Sequence, residues 1–394
     1  MKTILNPYLF FFFVILSACS GITDKTILHN SSVPNLHLGP DSNMYTSWTR
    51  EYPDGNSELV FSSGIDPTTR TIASGYDWVV NWADFPTMMR FGSENLVANY
   101  LVETDRATFA YDIKLTISND GGDTWGEAFS PHIDSTITEH GFVSLVAVGE
   151  DSFMAVWLDG RKYSQGLDTM ELRGALINSE GEIIHSYLID DNVCSCCATD
   201  AVSTSDGITV VYRDRYDGEI RDMSLSHFDI STKTWSAPSR LHYDKWKIAG
   251  CPVNGPAIAV SDDITVAAWF TMGETGREPS VFVSHSVNGI EYQEPVKVNS
   301  TYTIGRLDVC FVNENVAAVS WMEENEGENE DATYLKVRTY NINSGELGAI
   351  STVAEMDKAR SSGFPKMESL NGRLKFVYTA ISDQGKTSIG TVTK

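Results

Sequence analysis

The chain repeats one kind of strand segment six times, and this repeat constrains the fold more than any other feature. Each copy joins polar residues to a short apolar run, and a second apolar strand follows it. The copies begin at Asn81, Glu139, Cys197, Cys251, Gly305 and Ser361, at intervals of 58, 58, 54, 54 and 56 residues. A period of about 55 residues suits one four-stranded unit. The sequence therefore predicts an all-β chain, folded over residues 35–394 as a six-bladed β-propeller of four-stranded antiparallel blades.

The N-terminal segment is typical of an exported protein. The apolar run YLFFFFVIL precedes Leu16-Ser17-Ala18-Cys19, which resembles the lipobox of bacterial lipoprotein signals. The resemblance implies that residues 1–19 are a signal peptide with a lipid on Cys19, and the polar residues 20–34 then form a flexible tether. An ordinary secretory signal or a short membrane anchor is the alternative. We expect a location at the bacterial cell envelope, on the periplasmic side or the cell surface.

The charge of the chain excludes one class of partner. Fifty-three acidic residues against 29 basic residues give a net charge of −24, which opposes binding to nucleic acid phosphates. We expect a monomer that touches the membrane only through its lipid.

Propeller geometry predicts where the polar residues meet. The first strand of each blade lines the central channel and the second strand returns, so the starts of first strands and the ends of second strands share one rim. The sequence predicts that the following residues meet there: Asn81, Asp84, Glu139, His140, Asp159, Arg161, Cys194, Cys196, Cys197, Asp200, Arg213, Asp214, Arg215, Cys251, Asn254, Arg306, Asp308, Glu323 and Arg360.

Residues 118–125, SNDGGDTW, resemble the Asp-box turn of sialidase-like propellers, and the series NWADFP, TEHGFVSL, WLDGR, YRDR and CPVNGP is similar to that of exported bacterial BNR-repeat proteins of sialidase-like type. The resemblance implies an exo-sialidase-like glycoside hydrolase that acts on anionic glycans. Its acid is then Asp84 or Asp159 and its nucleophile Tyr212 or Tyr378. The implied substrate-binding residues are Arg161, Arg213, Arg215, Arg306, Arg360 and His140.

Four cysteines leave two further interpretations open. Cys194, Cys196, Cys197 and Cys251 are soft ligands that suit copper or zinc, with His140 as a possible nitrogen ligand. The same four thiols would form at least one disulfide in an oxidising compartment. Cys310, inside an apolar strand, is expected to be a buried free thiol.

The third interpretation is a protein that binds a ligand without catalysing a reaction. Propellers also bind glycans, proteins and peptides at this rim, and a fold does not determine function. A non-catalytic glycan- or protein-binding module therefore stands beside the hydrolase and the metal or redox site.

Overall fold

The computed structural model describes residues 29–324 and 333–394. The predicted signal peptide, Cys19 and residues 20–28 of the predicted tether lie outside the described residues. The prediction of an all-β chain is confirmed, because the described residues form 27 strands and two three-residue 3-10 helices, Tyr163–Gln165 and Arg360–Ser362. None of the helices in these ranges is long and apolar enough to cross a membrane.

The strands form seven antiparallel sheets, each made from consecutive strands. Blade one contains β1–β4: Asn30–Leu38, Met44–Glu51, Ser57–Ser63 and Arg70–Gly75. Blade two contains β5–β7: Met88–Phe91, Asn95–Asp105 and Ala110–Ser118. Blade three contains β8–β11: His140–Val148, Ser152–Asp159, Met170–Asn178 and Ile183–Val193. Blade four contains β12–β16: Asp200–Ser203, Gly207–Arg213, Met223–Asp229, Thr234–Trp235 and Ser239–Arg240.

The last three blades follow the same order along the chain. Blade five contains β17–β20: Ala257–Ser261, Ile264–Thr271, Ser280–Ser286 and Val296–Lys297. Blade six contains β21–β24: Thr303–Asn313, Val316–Glu324, Thr333–Asn341 and Ser351–Met356. Blade seven contains β25–β27: Lys366–Leu370, Arg373–Ile381 and Thr387–Thr393.

The prediction of six four-stranded blades is wrong in number. There are seven blades, with three to five strands each, because residues 30–75 form a blade that precedes the first recognised repeat. Its inner strand, β1, reads NSSVPNLHL and was not among the six copies recognised in the sequence. The propeller also begins earlier than predicted, since β1 includes residues 30–34 of the predicted tether.

Neighbouring blades pack through buried apolar side chains. Six clusters of these side chains each span one junction, from blades one and two through to blades six and seven. Second strands supply the largest of them, including Trp157, Trp269 and Trp321, each at most 2 % exposed. Such contacts hold a sheet that is buried on both faces by its neighbours.

Blades seven and one, which close the ring, are joined differently from the other pairs of neighbouring blades. In the described part of the chain, none of the six clusters joins blade seven to blade one. Hydrogen bonds cross this junction instead: Val33 N donates to Thr379 Oγ1 at 3.0 Å, and Lys375 Nζ donates to Thr46 Oγ1 at 3.0 Å. Both terminal blades consist only of consecutive strands, so no strand is exchanged between them.

The seven inner strands run in the same direction around a central channel. Their C-terminal halves line a cavity of about 660 Å³, and the loops before them surround the other end. This second end, which we call the mouth, is where most of the predicted site residues lie.

Candidate functional site

Many polar residues of the mouth join one blade to the next. An oxygen of one inner-strand segment accepts a hydrogen bond from the backbone N–H of the following segment, 52 to 59 residues later. These bonds run from Phe142 N to Asp84 Oδ1 (2.7 Å), Ile258 N to Asp200 Oδ2 (2.8 Å), Arg306 N to Asn254 Oδ1 (2.8 Å) and Met367 N to Asp308 Oδ2 (2.6 Å). We call these four acceptors the blade latches.

Asp84, predicted as a catalytic acid, is one of these latches. It is 1 % exposed and also accepts a hydrogen bond from Tyr111 Oη at 3.0 Å. Burial raises the pKa of its carboxyl to about 7. The packing around it is close, because a Cβ at Gly141 would lie 2.0 Å from Asp84 Oδ2. Both oxygens of this carboxylate are already hydrogen-bonded within the protein, which favours a structural role.

Asp159, the alternative acid, lies at the end of β9 and is fully buried. Both its oxygens accept hydrogen bonds from Arg161 at 2.7 Å, and Trp157 Nε1 donates to Oδ2 at 2.9 Å. Burial alone acts to raise its pKa, but the bonds from Arg161 hold the pKa down to about 2. A general acid needs a raised pKa, so this environment favours a structural carboxylate. The guanidinium of Arg161 is in turn bound to Asp159 through these two hydrogen bonds.

Tyr212 and Arg213 face the interior of the protein. Tyr212 is fully buried and donates to Asp190 Oδ2 at 2.7 Å, and burial raises its pKa well above the ordinary value. Arg213, 1 % exposed, donates to the backbone carbonyls of three residues and lies 4.8 Å from the ring centroid of Trp246. Arg215 pairs with Glu219 at 2.8 Å and with Asp168 at 3.1 Å.

Of the five arginines predicted to bind substrate, only Arg360 is exposed, and it lies on the side of blade seven. Arg360 is exposed, and its guanidinium lies 5.9 Å from the ring centroid of Trp82. Arg306 lies 4.9 Å from the same ring but is held by Ser362 Oγ and by backbone carbonyls; burial lowers its pKa to about 10. Phe364 stacks against Trp82 at 5.8 Å. Trp82 had not been predicted as a site residue, although it belongs to the NWADFP segment.

The three clustered cysteines lie on the opposite side of the mouth. Cys194, Cys196 and Cys197 occupy the loop between β11 and β12, where blade three connects to blade four. The Sγ atom of Cys194 lies 3.9 Å from that of Cys196 and 3.8 Å from that of Cys197. Because the loop is not a regular strand, the neighbours Cys196 and Cys197 can turn their thiols toward the same point. All three sulfur atoms lie within 4.8 Å of one another.

Surrounding groups favour negative charge on one of the three thiols. Hydrogen bonds from Cys196 and Cys197 lower the pKa of Cys194 well below its usual value, and the charges of Arg213 and Arg221 act in the same direction. The hydrogen bonds to Cys194 and Cys197 raise the pKa of Cys196 above its usual value, and burial raises the pKa of Cys197 to about 12. Asn254 N donates to Cys197 Sγ at 3.4 Å, so the CPVNGP segment contacts the cluster directly.

The remaining predicted ligands do not join the cluster. All five described cysteines are free thiols, so the structure contains none of the predicted disulfides among them. Cys251 is exposed and does not belong to the group of convergent sulfur atoms, whereas Cys310 is buried and free as predicted. His140 stacks on His132 at a centroid distance of 4.3 Å and faces carboxylates rather than thiols.

Comparison with known proteins supports the fold. No family model matches the sequence, and a search of the curated proteins finds no match. The structure is similar to a Dyadobacter fermentans protein of unknown function, with 14 % identity, 93 % of this chain and 95 % of that chain covered, and a TM-score of 0.49. It is similar to the leech intramolecular trans-sialidase, with 9 % identity, 89 % and 83 % covered, and a TM-score of 0.50. The shared feature is the β-propeller.

Other similar structures have a different chemistry. An acylaminoacyl peptidase from Pyrococcus horikoshii matches with 10 % identity and a TM-score of 0.50, over 93 % of this chain and 52 % of that one. Glycoside hydrolases and peptidases are thus both among the structural neighbours. At these identities the likeness identifies the fold and leaves the activity to the site.

Proposed function

We propose that the protein binds copper(I) through Cys194, Cys196 and Cys197. The observation that carries the proposal is the sulfur spacing. Thiolates bound to one ion at about 2.3 Å lie about 3.8 Å apart in a tetrahedron and about 4.0 Å apart in a trigonal plane. The observed separations of 3.8 and 3.9 Å match this range and are far longer than the S–S bond of a disulfide, about 2.05 Å.

The number of ligands favours copper(I) over zinc. A structural zinc site is almost always four-coordinate, whereas soft thiolates select copper(I). In residues 29–324 and 333–394, no histidine or carboxylate joins the three thiols as a fourth ligand.

The charge around the thiols supports the proposal. Three thiolates and one copper(I) ion carry a net charge of −2, which is costly in a partly buried site. The guanidinium groups of Arg213 and Arg221 offset this charge, and the Asn254 N–H donates to one sulfur. Cys196 is partly exposed at the mouth and gives the ion a route from solvent. In this proposal the lipid on Cys19 holds the monomeric propeller at the cell envelope.

The test is a competition for copper(I) on the reduced protein under argon, with bathocuproine disulfonate as the competing chelator. We expect one equivalent of copper(I) to bind. Cys194→Ser removes a ligand rather than a supporting group, so it should weaken binding by more than about 100-fold. The copper(I)-thiolate charge-transfer band should disappear with it.

Cys251→Ser is the matched control, because this thiol is exposed and lies outside the convergent group. Its copper(I) affinity should equal that of the wild type. A reduced protein that does not compete with the chelator, or a Cys194→Ser variant that retains wild-type affinity, contradicts the proposal.

A second candidate function is the predicted hydrolysis of an anionic glycan at the same mouth. Arg360 makes no ion pair within the described residues, and it lies at the mouth beside Trp82. Glu139, at the start of blade three, is half-buried, and burial raises its pKa as a general acid requires. Arg360 is kept from the predicted substrate-binding residues, and Glu139 takes the place of the predicted acids Asp84 and Asp159, which are buried and hydrogen-bonded.

The glycan hypothesis is tested with a chromogenic sialoside and other acidic glycosides, using metal-free protein. Arg360→Ala should raise KM, whereas Glu139→Gln should lower kcat. Absence of turnover with every acidic glycoside tested would contradict hydrolysis, and saturable glycan binding without product would instead support the binding module.

A further inference from the structure

We propose a second metal site, for Zn²⁺, formed by His132, His140 and Asp112 at the junction of blades two and three. The two imidazole rings stack at a centroid distance of 4.3 Å and an angle of 27°. Their side chains are only 5 % and 2 % exposed. Ligand atoms of all three residues lie within 4.8 Å of one another.

Asp112 is oriented toward the rings by its own neighbours. Its Oδ2 accepts hydrogen bonds from Ser130 Oγ at 2.7 Å and from Lys114 Nζ at 3.0 Å. Its Oδ1 lies 2.8 Å from His132 Nε2 and also accepts a hydrogen bond from Ile113 N at 3.0 Å. Fixing one carboxylate oxygen so that the other faces a site is how supporting residues prepare a metal ligand.

His132 supplies an independent indication of a ligand. Neither of its ring nitrogens has a hydrogen-bond partner in the described part of the chain, because the contact with Asp112 has the distance but not the direction of a hydrogen bond. A buried polar atom without a partner costs free energy. A metal ion bound to the ring would remove this cost.

The two neighbouring carboxylates are both engaged by other groups. Asp159 accepts two hydrogen bonds from Arg161 and one from Trp157. Asp134 Oδ2 accepts a hydrogen bond from Thr136 Oγ1 and lies 3.2 Å from His140 Nε2, and it does not belong to the convergent group of Asp112, His132 and His140. Two imidazoles and one carboxylate, with a solvent molecule in the fourth position, suit tetrahedral zinc, with ligand atoms about 3.3 Å apart at bond lengths of about 2.0–2.1 Å. The three side chains would have to move to reach this spacing from their present limit of 4.8 Å.

The ion would join two blades. Asp112 belongs to β7 of blade two, His132 to the connection after it, and His140 to the start of β8 in blade three. Glu139 precedes His140 at the mouth, so zinc would also fix that carboxyl. Because the unfolded chain does not hold these ligands together, zinc binding should stabilise the folded protein.

The test uses the full chain with Cys194, Cys196 and Cys197 all changed to Ser, so that the thiol site cannot contribute. After chelation and dialysis, it is titrated with Zn²⁺ against a competing indicator dye. We expect one equivalent to bind and Tm to rise by about 3 °C at a zinc concentration of about 100 times Kd. Cobalt(II) in its place should give the visible absorption of a tetrahedral site.

Adding His132→Ala should weaken zinc binding by at least about 100-fold and abolish the rise in Tm. Asp112→Asn keeps the shape of the side chain and should weaken binding by at least about 10-fold, which covers the case in which the alanine variant does not fold. His185→Ala, an exposed histidine of β11, is the control and should bind as before. The proposal is overturned if the triple-Ser protein binds no zinc, or if binding survives both His132→Ala and Asp112→Asn.

Discussion

The blade latches and the thiol cluster occupy comparable places at the mouth but have opposite surroundings. Asp84, Asp200 and Asp308 each accept a backbone hydrogen bond from the next blade. The three thiols contact mainly one another, with one backbone N–H and two guanidinium groups beside them. A polar residue at a repeated position can therefore hold the ring together, whereas thiols that contact mainly one another, apart from the one bond that Cys197 accepts from Asn254 N, are free to bind a ligand.

The largest effect expected from this comparison is on stability. Asp308→Ala removes the acceptor of Met367 N, whose bond to Asp308 is 2.6 Å long, and leaves a buried N–H unpaired. We expect the free energy of unfolding to fall by about 2–3 kcal/mol, measured by urea denaturation. Cys194→Ser in metal-free protein should cost less than about 1 kcal/mol.

Asp308→Asn keeps an acceptor oxygen and should restore most of the lost stability. If the alanine variant is as stable as the wild type, the latches do not hold the blades together. An equal loss in Cys194→Ser would remove the distinction between the two groups.

The next effect is a change of folding stability with pH. Burial raises the pKa of Asp84 to about 7 from an ordinary value near 3.8, so the folded protein binds a proton here more tightly than the unfolded chain. Stability from this group is therefore full below about pH 4 and is lost as pH rises toward 7. Between pH 5 and pH 8 the loss should be about 2–3 kcal/mol, since the pKa of about 7 lies two units above pH 5 and one pKa unit corresponds to about 1.4 kcal/mol.

Asp84→Asn cannot ionise, so its stability should change less than that of the wild type over this range. Chemical denaturation at both pH values measures the difference. Parallel pH profiles for the two proteins would contradict the assignment of a raised pKa to this latch.

The smallest effect is expected at Arg360. This exposed side chain is not one of the blade latches, so Arg360→Ala should change the free energy of unfolding by less than about 0.5 kcal/mol. Thermal or urea unfolding checks this value. A larger loss would place Arg360 with the latches instead of with the ligand-binding side of the mouth.

Much of the fold could be predicted from the sequence, because one interaction recurs at the period of the repeat. The backbone N–H of Phe142 and its acceptor Asp84 are 58 residues apart, the same distance as their two segments. Blade one was missed because the polar start of β1, residues 30–34, was assigned to the predicted tether, although its four strands pair like those of other blades.

The candidate site was less predictable, for a related reason. The sequence predicted Asp84 and Arg213 at the rim, but residue type does not show whether a polar group faces solvent or a neighbouring backbone. Arg213 donates to carbonyls of blades four and five, which only the packed structure could reveal. The convergence of Cys196 and Cys197 likewise depends on an irregular loop, and the contact of His132 with Asp112 joins residues outside the recognised repeats.

The closure between blades seven and one has a consequence for how the molecule holds its shape. In residues 29–324 and 333–394, each terminal blade is made of consecutive strands, so the ring is closed by contacts between the facing sides of blades seven and one. No strand pairing in these residues therefore depends on which blade comes first in the chain. Contacts between blade faces, and not an exchanged strand, keep the described ring closed.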